Sequence, residues 1–423
     1  MNPWLKKVIF ILAGILITAA ASSAITILVL RAQAGERVVL SAEEFERYHA
    51  LAPVLELFEK IKTEHYGDET TDNQLIDGAL DGMLQSIDDP YAKYYTAEEY
   101  TAYLEQMDGR YQGIGALVGQ PQGEGVPVLK VYKDSPAEKA GLTTRDVITA
   151  VDTVSLTGLS LEEIERLFSG DDGTALTVRV LRERQQLDIA VVRAAGTTQR
   201  VTHKLFLQRT GYMMVDKFTG TALEEFEEKL RDLTDRGMRS LVVDLRNNPG
   251  GELNQVIAIA DMLLADSIIV TVRQANGAAH EYRADGRCTE VPLAILVNEN
   301  SASASEILAA AVQDCGRGIV VGLPTFGKGV VQTAMQLKSN RGWVKLTTAA
   351  YYTPNGHSVD GKGVTPDIEI DLADNFKQMP IDQIDQDEDA QLWAALDEVR
   401  EQADLLDEQK NNGESAAGTQ DAA

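Results

Sequence analysis

Five histidines and two cysteines are all that this 423-residue chain contains of either type. So few histidines restrict imidazole chemistry to a handful of positions. No CxxC pair and no histidine pair at ligand spacing occurs, so the sequence offers no metal site and implies no cofactor. Two cysteines cannot form the disulfide framework of a small secreted scaffold. Positive charge is also scarce: 39 Lys and Arg face 65 Asp and Glu, for a net charge of −26. Phosphate binding needs a basic face, so nucleic acid is not expected as a partner. Hydrophobic content is 44% and charged content 25%, ordinary for globular domains of this length.

Uncharged runs are short except at the N-terminus. Lys6 and Lys7 precede IFILAGILITAAASSAITILVL, Ile9 to Leu30, and Arg31 follows. That length suits a membrane-spanning helix, and the preceding lysines favour a cytoplasmic start. The remainder would then lie on the extracytoplasmic side of the cell membrane. A cleaved signal peptide is the alternative, with Ala32-Gln33-Ala34 as its processing site, although its apolar region would be shorter.

Apolar residues recur at helical spacing in FERYHALAPVLELFEKIKTEHY and NQLIDGALDGMLQSI, and Asp88-Asp89-Pro90 breaks the pattern before a further helix around TAEEYTAYLEQM. GIGALVG, VPVLKVY, DVITAVD, ALTVRVLRER and LDIAVVRA then read as short strands. Two short helices interrupt them, opening at Ser135-Pro136-Ala137-Glu138 and Ser160-Leu161-Glu162-Glu163. From about residue 205 strands and helices alternate: TGYMMVDKF, a helix capped at Thr221, SLVVDL, LNQVIAIADMLL, LAILVN, a helix from SASASEILAAAVQD, and GIVVG. Buried strands alternating with helices indicate parallel βαβ units. Near the C-terminus LWAALDEVREQADLL reads as a short helix, and NNGESAAGTQDAA as disordered.

Three places could carry chemistry. Ser301, Ser303 and Ser305 lie between a strand and a helix start, where unpaired N–H groups and the helix dipole suit a developing oxyanion. Ser303-Ala304-Ser305-Glu306 is equally a capping box. Lys328 lies in TFGKGVVQ, between glycines and beside Phe326, Val330 and Val331. Desolvation there would lower its pKa and make it a general base, although a plain surface lysine fits the loop too. DLRNNPGG, Asp244 to Gly251, can expose backbone N–H groups at a strand end, or be a tight turn. Of the histidines only His357, in a glycine-rich loop, could face such a site.

Taken together these blocks resemble the C-terminal processing peptidases, or tail-specific proteases. SIDDPYAKYY, YQGIG, SPAEKAGL, DLRNNPGG, VNENSASASEI, TFGKGVVQ and AAYYTPNGHSVDGKGVTPDIEI occur in the family order across roughly residues 45–372. The resemblance implies a serine endopeptidase with Ser303 as nucleophile and Lys328 as base. Gln332 would orient the lysine from one helical turn away, and N–H groups of Ala304 and Gly250 or Gly251 would form the oxyanion hole. Ser301 and Ser305 become structural, either able to cap the helix. The small module resembles a PDZ domain. Tyr111, Gln112, Gly113, Ile114 and Gly115 would be its carboxylate loop, gripping unstructured C-terminal tails of protein or peptide substrates. Arg182 is a candidate for reaching the core.

The implied fold is α/β: a ββα-type, crotonase/ClpP-like protease core with an inserted PDZ domain, a helical N-terminal region and a transmembrane helix. Its parts are residues 1–35 (cytoplasmic N-terminus and anchor), 36–105 (helical region), 106–195 (PDZ), 196–375 (peptidase core) and 376–423 (acidic tail with a short helix). That helix leaves a homo-oligomer open. Two departures stand out: Arg145 where relatives often carry Gly, and His357 where they carry Arg. Cys288 and Cys315 fall at the end of the core away from the active site, so a disulfide and free thiols are both open. Two other classes remain: a PDZ scaffold with an inactive core, and a crotonase-like enzyme acting on acyl thioesters.

Overall fold

The computed structural model describes Trp4 and residues 41–418, apart from 69, 122, 124 and 378. The apolar run Ile9–Leu30 lies outside the described residues, and among those described no helix is long and apolar enough to cross a membrane. The chain forms two compact units, residues 1–79 and 80–423. The first contains the helices Ala42–Ala50 and Ala52–Glu64 and the start of Asp72–Gln85. Ser41 and Glu44 close the first of these helices with a reciprocal capping box.

In the second unit a six-stranded sheet runs in the order Val201–Leu205, Thr210–Val215, Ser240–Asp244, Leu293–Val297, Ile319–Gly322, Ile368–Glu369. Its first pair is antiparallel and the rest are parallel, as the uninterrupted apolar strands require when both faces are covered. Leu241 and Val243 point to one face, into a core with Phe226, Leu233, Val256, Ile259 and Leu308 of three helices. Val242, Ala294, Leu296 and Val321 point to the other, against Leu392, Ala395, Leu396 and Val399. Those last four belong to the helix Ala390–Gly418. The segment expected to be an acidic tail therefore covers one face of the sheet, and its helix runs well past the expected short stretch. Helix propagation adds a hydrogen bond per residue, and Leu405 to Lys410 is rich in good helix formers. Buried Arg246 bridges Asp244 and Asp389, pinning the entry to this helix.

A second sheet stands beside the first, with Lys93–Thr96, Gly342–Tyr352, Ile268–Gln274 and Ala279–Arg283 in order, and Val330–Gln336 also paired to Gly342–Tyr352. All its pairs are antiparallel. The strand Lys93–Thr96 comes from the stretch read as helical, so the segment around SIDDPYAKYY is stitched into this second sheet.

The PDZ-like module has its own core of Val126, Val128, Ile148, Ile164, Phe168, Val178 and Val180. It joins the rest through a two-stranded ribbon, Arg110–Gly113 paired with Ala194–Thr197. Arg182 does not reach the peptidase core. Its guanidinium forks onto Asp146 at 2.6 and 2.7 Å and donates to the Gly141 carbonyl, because Asp146 is a fully buried carboxylate that needs a counter-charge. Arg145 beside it adopts φ 76°, the left-handed region in which glycine is unstrained.

Two further expectations change, and one open alternative is resolved. Residues 330–336 form a strand, not a helix. Thr221 does not cap its helix: its hydroxyl donates to Glu225, whose other oxygen already takes the N–H groups of Arg200 and Val201. Cys288 and Cys315 are free thiols. Cys315 donates toward the Ile268 carbonyl at 3.7 Å, while Cys288 lies beside the Arg317 side chain.

Candidate active site

Ser303 sits where the strand Leu293–Val297 feeds the helix Ala304–Asp314. It has φ 55° and ψ −111°, a conformation costing a non-glycine residue about 1–3 kcal/mol, and such strain gathers at functional sites. Its hydroxyl makes no capping hydrogen bond; the Glu306 N–H donates to the Ser303 carbonyl instead. The neighbouring serines are committed to structure. Buried Ser301 donates to the Leu245 carbonyl at 2.7 Å and accepts from the Asn298 N–H. Buried Ser305 donates to the Asn248 carbonyl at 2.9 Å. Neither is the cap residue of the helix. Of the three, Ser303 alone lines a cleft of about 700 Å³, together with Lys328, Gln332, Gly251 and Ala304.

Glu306 is fully buried and acts as a hub. One carboxylate oxygen accepts the N–H groups of Ser303 (2.7 Å) and Lys328 (2.9 Å). The other accepts the Thr325 hydroxyl (2.6 Å) and the Gly327 N–H (2.7 Å). From the opposite side the buried Tyr351 hydroxyl lies 3.1 Å from the Ser303 carbonyl oxygen and 2.5 Å from that of Lys328. Two side chains thus hold the peptide groups of Ser303 and Lys328 at both ends. The sequence marks Glu306 only as a cap residue, and Tyr351 carries no local signal.

The Lys328 ammonium rests 4.6 Å from the ring centre of Tyr91, and among the described residues it has no hydrogen bond to Ser303. Burial lowers its pKa first, and the positive charge of Lys345 lowers it further, while Glu306 and Asp89 offset part of this. Phe326, expected to help desolvate it, is 60% exposed; Val330 and Val331 line the cleft instead. Gln332 lines the same cleft from the strand Val330–Gln336, just past a bulge between Val331 and Gln332. Its side chain donates to Thr347 Oγ1 at 3.3 Å, and that hydroxyl donates to Asp89 at 3.1 Å.

The PGG turn packs directly on Ser303. Gly250 has φ 98°, and a Cβ there would lie 2.6 Å from the Ala302 carbonyl and 2.9 Å from Ser303 Cβ. Its N–H donates to Asn248 Oδ1 at 2.8 Å, so it is spent within the turn. Gly251 and Ala304 are the pair that line the cleft. His357 is exposed and lies in a turn closed by Thr353. Among the described residues no group of His, Cys, Asp and Glu could hold a metal.

The expected carboxylate loop falls partly on the connecting ribbon: Tyr111, Gln112 and Gly113 are strand residues, Ile114 is buried, and Gly115 has φ 71°. A Cβ on Gly115 would meet the Tyr111 ring and Ser135 within 2.8 Å. All five residues line a groove of about 690 Å³ beside the helix Leu161–Phe168.

Residues 209–370 match peptidase family S41, residues 128–182 a PDZ domain, and residues 16–99 the N-terminal domain of the activating protease CtpB. The chain is 32% identical to the carboxy-terminal processing protease CtpA of Bacillus subtilis, over 86% of this chain and 77% of that protein. It is 33% identical to a carboxy-terminal-processing protease of Bartonella bacilliformis, over 88% and 85%. Among solved structures it resembles a photosystem II D1 C-terminal processing protease, with TM-score 0.50 and 27% identity over 78% of this chain and 94% of the other. An S41 protease from Bacteroides fragilis shares the fold, with TM-score 0.54 and 16% identity over 80% and 93%.

Proposed function

The chain belongs to peptidase family S41, among the C-terminal processing serine proteases with a PDZ domain, and from that premise we propose that it works by a Ser–Lys mechanism outside the cytoplasm. Ser303 Oγ attacks the scissile carbonyl while neutral Lys328 takes its proton. The ammonium then protonates the leaving amine, and water, with Lys328 again as base, releases the acyl group. The N–H groups of Ala304 and Gly251 stabilise the oxyanion. The observation that carries this reading is the shared clamp of Glu306 and Tyr351 on the peptide groups of Ser303 and Lys328. Proximity of this kind is worth having only if the two side chains act together.

The groove beside Leu161–Phe168 takes the substrate's C-terminal tail as an added strand, which directs cleavage toward unstructured C-termini. The uncharged run Ile9–Leu30 anchors the protein in the cell membrane, with the peptidase on the extracytoplasmic face.

The test is to incubate the full-length protein with an unfolded substrate carrying an apolar C-terminus and map the products by mass. Wild-type protein is expected to release C-terminal fragments first, and both Ser303→Ala and Lys328→Ala to release none. Cleavage surviving either substitution refutes the mechanism. Tail binding without cleavage by wild-type protein points to the scaffold reading. Extraction of the protein from membranes by alkali would refute the anchor.

A further inference from the structure

Peptide hydrolysis at this site needs one lysine, and the cleft holds three. Lys217 and Lys345 line the same cavity as Ser303 and Lys328. Lys217 follows the strand Thr210–Val215, and Lys345 projects from Gly342–Tyr352. Among the described residues neither has a carboxylate within 4 Å. The hydrogen-bond partner of Lys217 is Met107 Sδ at 3.5 Å, a weak acceptor. The Lys345 ammonium lies 5.2 Å from the Tyr103 ring centre and 5.7 Å from that of Tyr95. Asp216, next to Lys217, spends its carboxylate on Lys130 at 3.1 Å and Arg200 at 3.8 Å. Glu252, also on the cleft wall, is pushed toward its neutral form by burial and by Asp108.

Half-burying two ammonium groups without counter-ions costs free energy that a bound anion would return. The rest of the chain is strongly acidic, so a positive cleft is not a by-product of overall composition. The two lysines also feel each other: burial and Arg200 lower the Lys217 pKa, and Lys345 adds to this against Asp216. An anion between them would relieve that repulsion. The anion a polypeptide substrate can bring is a carboxylate.

We propose that Lys217 and Lys345 form a carboxylate-binding subsite of the catalytic cleft, so that the enzyme favours substrates with a carboxylate close to the scissile bond. This rests on Ser303 being the nucleophile of that cleft. The carboxylate has two sources, an Asp or Glu side chain or the substrate's own C-terminus lying a few residues past the cut.

The experiment compares kcat/KM of the full-length protein on peptides of one sequence. Each position flanking the cut carries Glu or its isostere Gln, and each peptide has a free or amidated C-terminus. At low ionic strength one Glu peptide, or the free-terminus series, is expected to exceed its neutral counterpart by about tenfold, as for a hydrogen-bonded charge. The position that responds identifies the source. The ratio should shrink in high salt, fall toward one in Lys217→Gln, and reverse in Lys217→Glu. Ratios near one at every position and terminus in the wild-type protein overturn the subsite while leaving the Ser303 mechanism standing. A preference that persists in Lys217→Gln and in Lys345→Gln also overturns it. Cleavage by Ser303→Ala would instead fell the mechanism.

Discussion

Replacing Glu306 by Gln is the sharpest perturbation of this site, because it changes one atom and removes one charge. The carboxylate accepts four donors, two on each oxygen. A glutamine amide offers one acceptor oxygen, so two donors must face an NH2. The less costly rotamer keeps the amide oxygen on the Ser303 and Lys328 N–H groups and turns the NH2 toward Thr325 and Gly327. The Thr325 hydroxyl can then rotate and accept, but the Gly327 N–H is orphaned in a buried site, at about 1–3 kcal/mol. Two bonds to a charged acceptor also become bonds to a neutral one, and the Thr325 contact reverses, each weaker by roughly half. The summed loss is about 2–4 kcal/mol, enough to lower the melting temperature by several degrees without unfolding the chain at 25 °C.

Catalysis should suffer beyond this. Slack in the Ser303–Lys328 geometry is expected to cost on the order of 100-fold in kcat with little change in KM. Removing the Glu306 charge also removes an influence that raises the Lys328 pKa, so the acid limb of the kcat profile should move to lower pH. A structural defect alone would not move that limb. Differential scanning calorimetry and pH-resolved kinetics on a neutral peptide make the measurement. Wild-type melting and wild-type kcat in Glu306→Gln would refute the hub.

Tyr351→Phe keeps all charges and leaves two carbonyls without their shared donor, so kcat should fall about tenfold to 100-fold while circular dichroism stays unchanged. Lys345→Met removes a positive neighbour of Lys328; the Lys328 pKa rises, less neutral base remains at a given pH, and the acid limb moves to higher pH on a neutral peptide. Arg145→Gly relieves the left-handed backbone at φ 76° and should stabilise the PDZ module by about 1 kcal/mol, read as a higher midpoint in urea. Asp389→Ala leaves the Arg246 guanidinium partly unpaired inside the protein and should cost about 3–5 kcal/mol, seen as loss of the cooperative thermal transition near the wild-type midpoint.

The alternation of buried strands and helices was legible because period and length both survive in the sequence, as in SLVVDL and LAILVN. Ser303 and Lys328 were legible because each lies at a strand's carboxyl end in a marked local motif. Gln332 was expected one helical turn from Lys328, but it lies on a strand that begins after Lys328 and bulges between Val331 and Gln332, so the four-residue spacing does not account for their sharing the cleft. Tyr91, Asp89 and Tyr351 could not be found this way. They reach the site through the pairing of Lys93–Thr96 with Gly342–Lys345 and through the long strand Gly342–Tyr352, and register between segments some 250 residues apart leaves no periodicity to read. The C-terminal helix was underestimated for a related reason. Its acidity suggested a solvated end, whereas Leu392, Ala395, Leu396 and Val399 form a stripe whose partner strands lie far back in the chain.

The ribbon of Arg110–Gly113 and Ala194–Thr197 has a modular consequence. At its base the Thr198 N–H donates to the Gly109 carbonyl at 2.8 Å, so the chain leaves the peptidase and returns to it at neighbouring points. The PDZ module is therefore a cassette plugged into a nearly closed circuit. A short graft from Gly109 to Thr198 would leave the catalytic sheets in register, and a foreign tail-reading domain with adjacent ends could occupy the same socket. Whatever the PDZ module binds, it can be exchanged without redesigning the catalytic sheets.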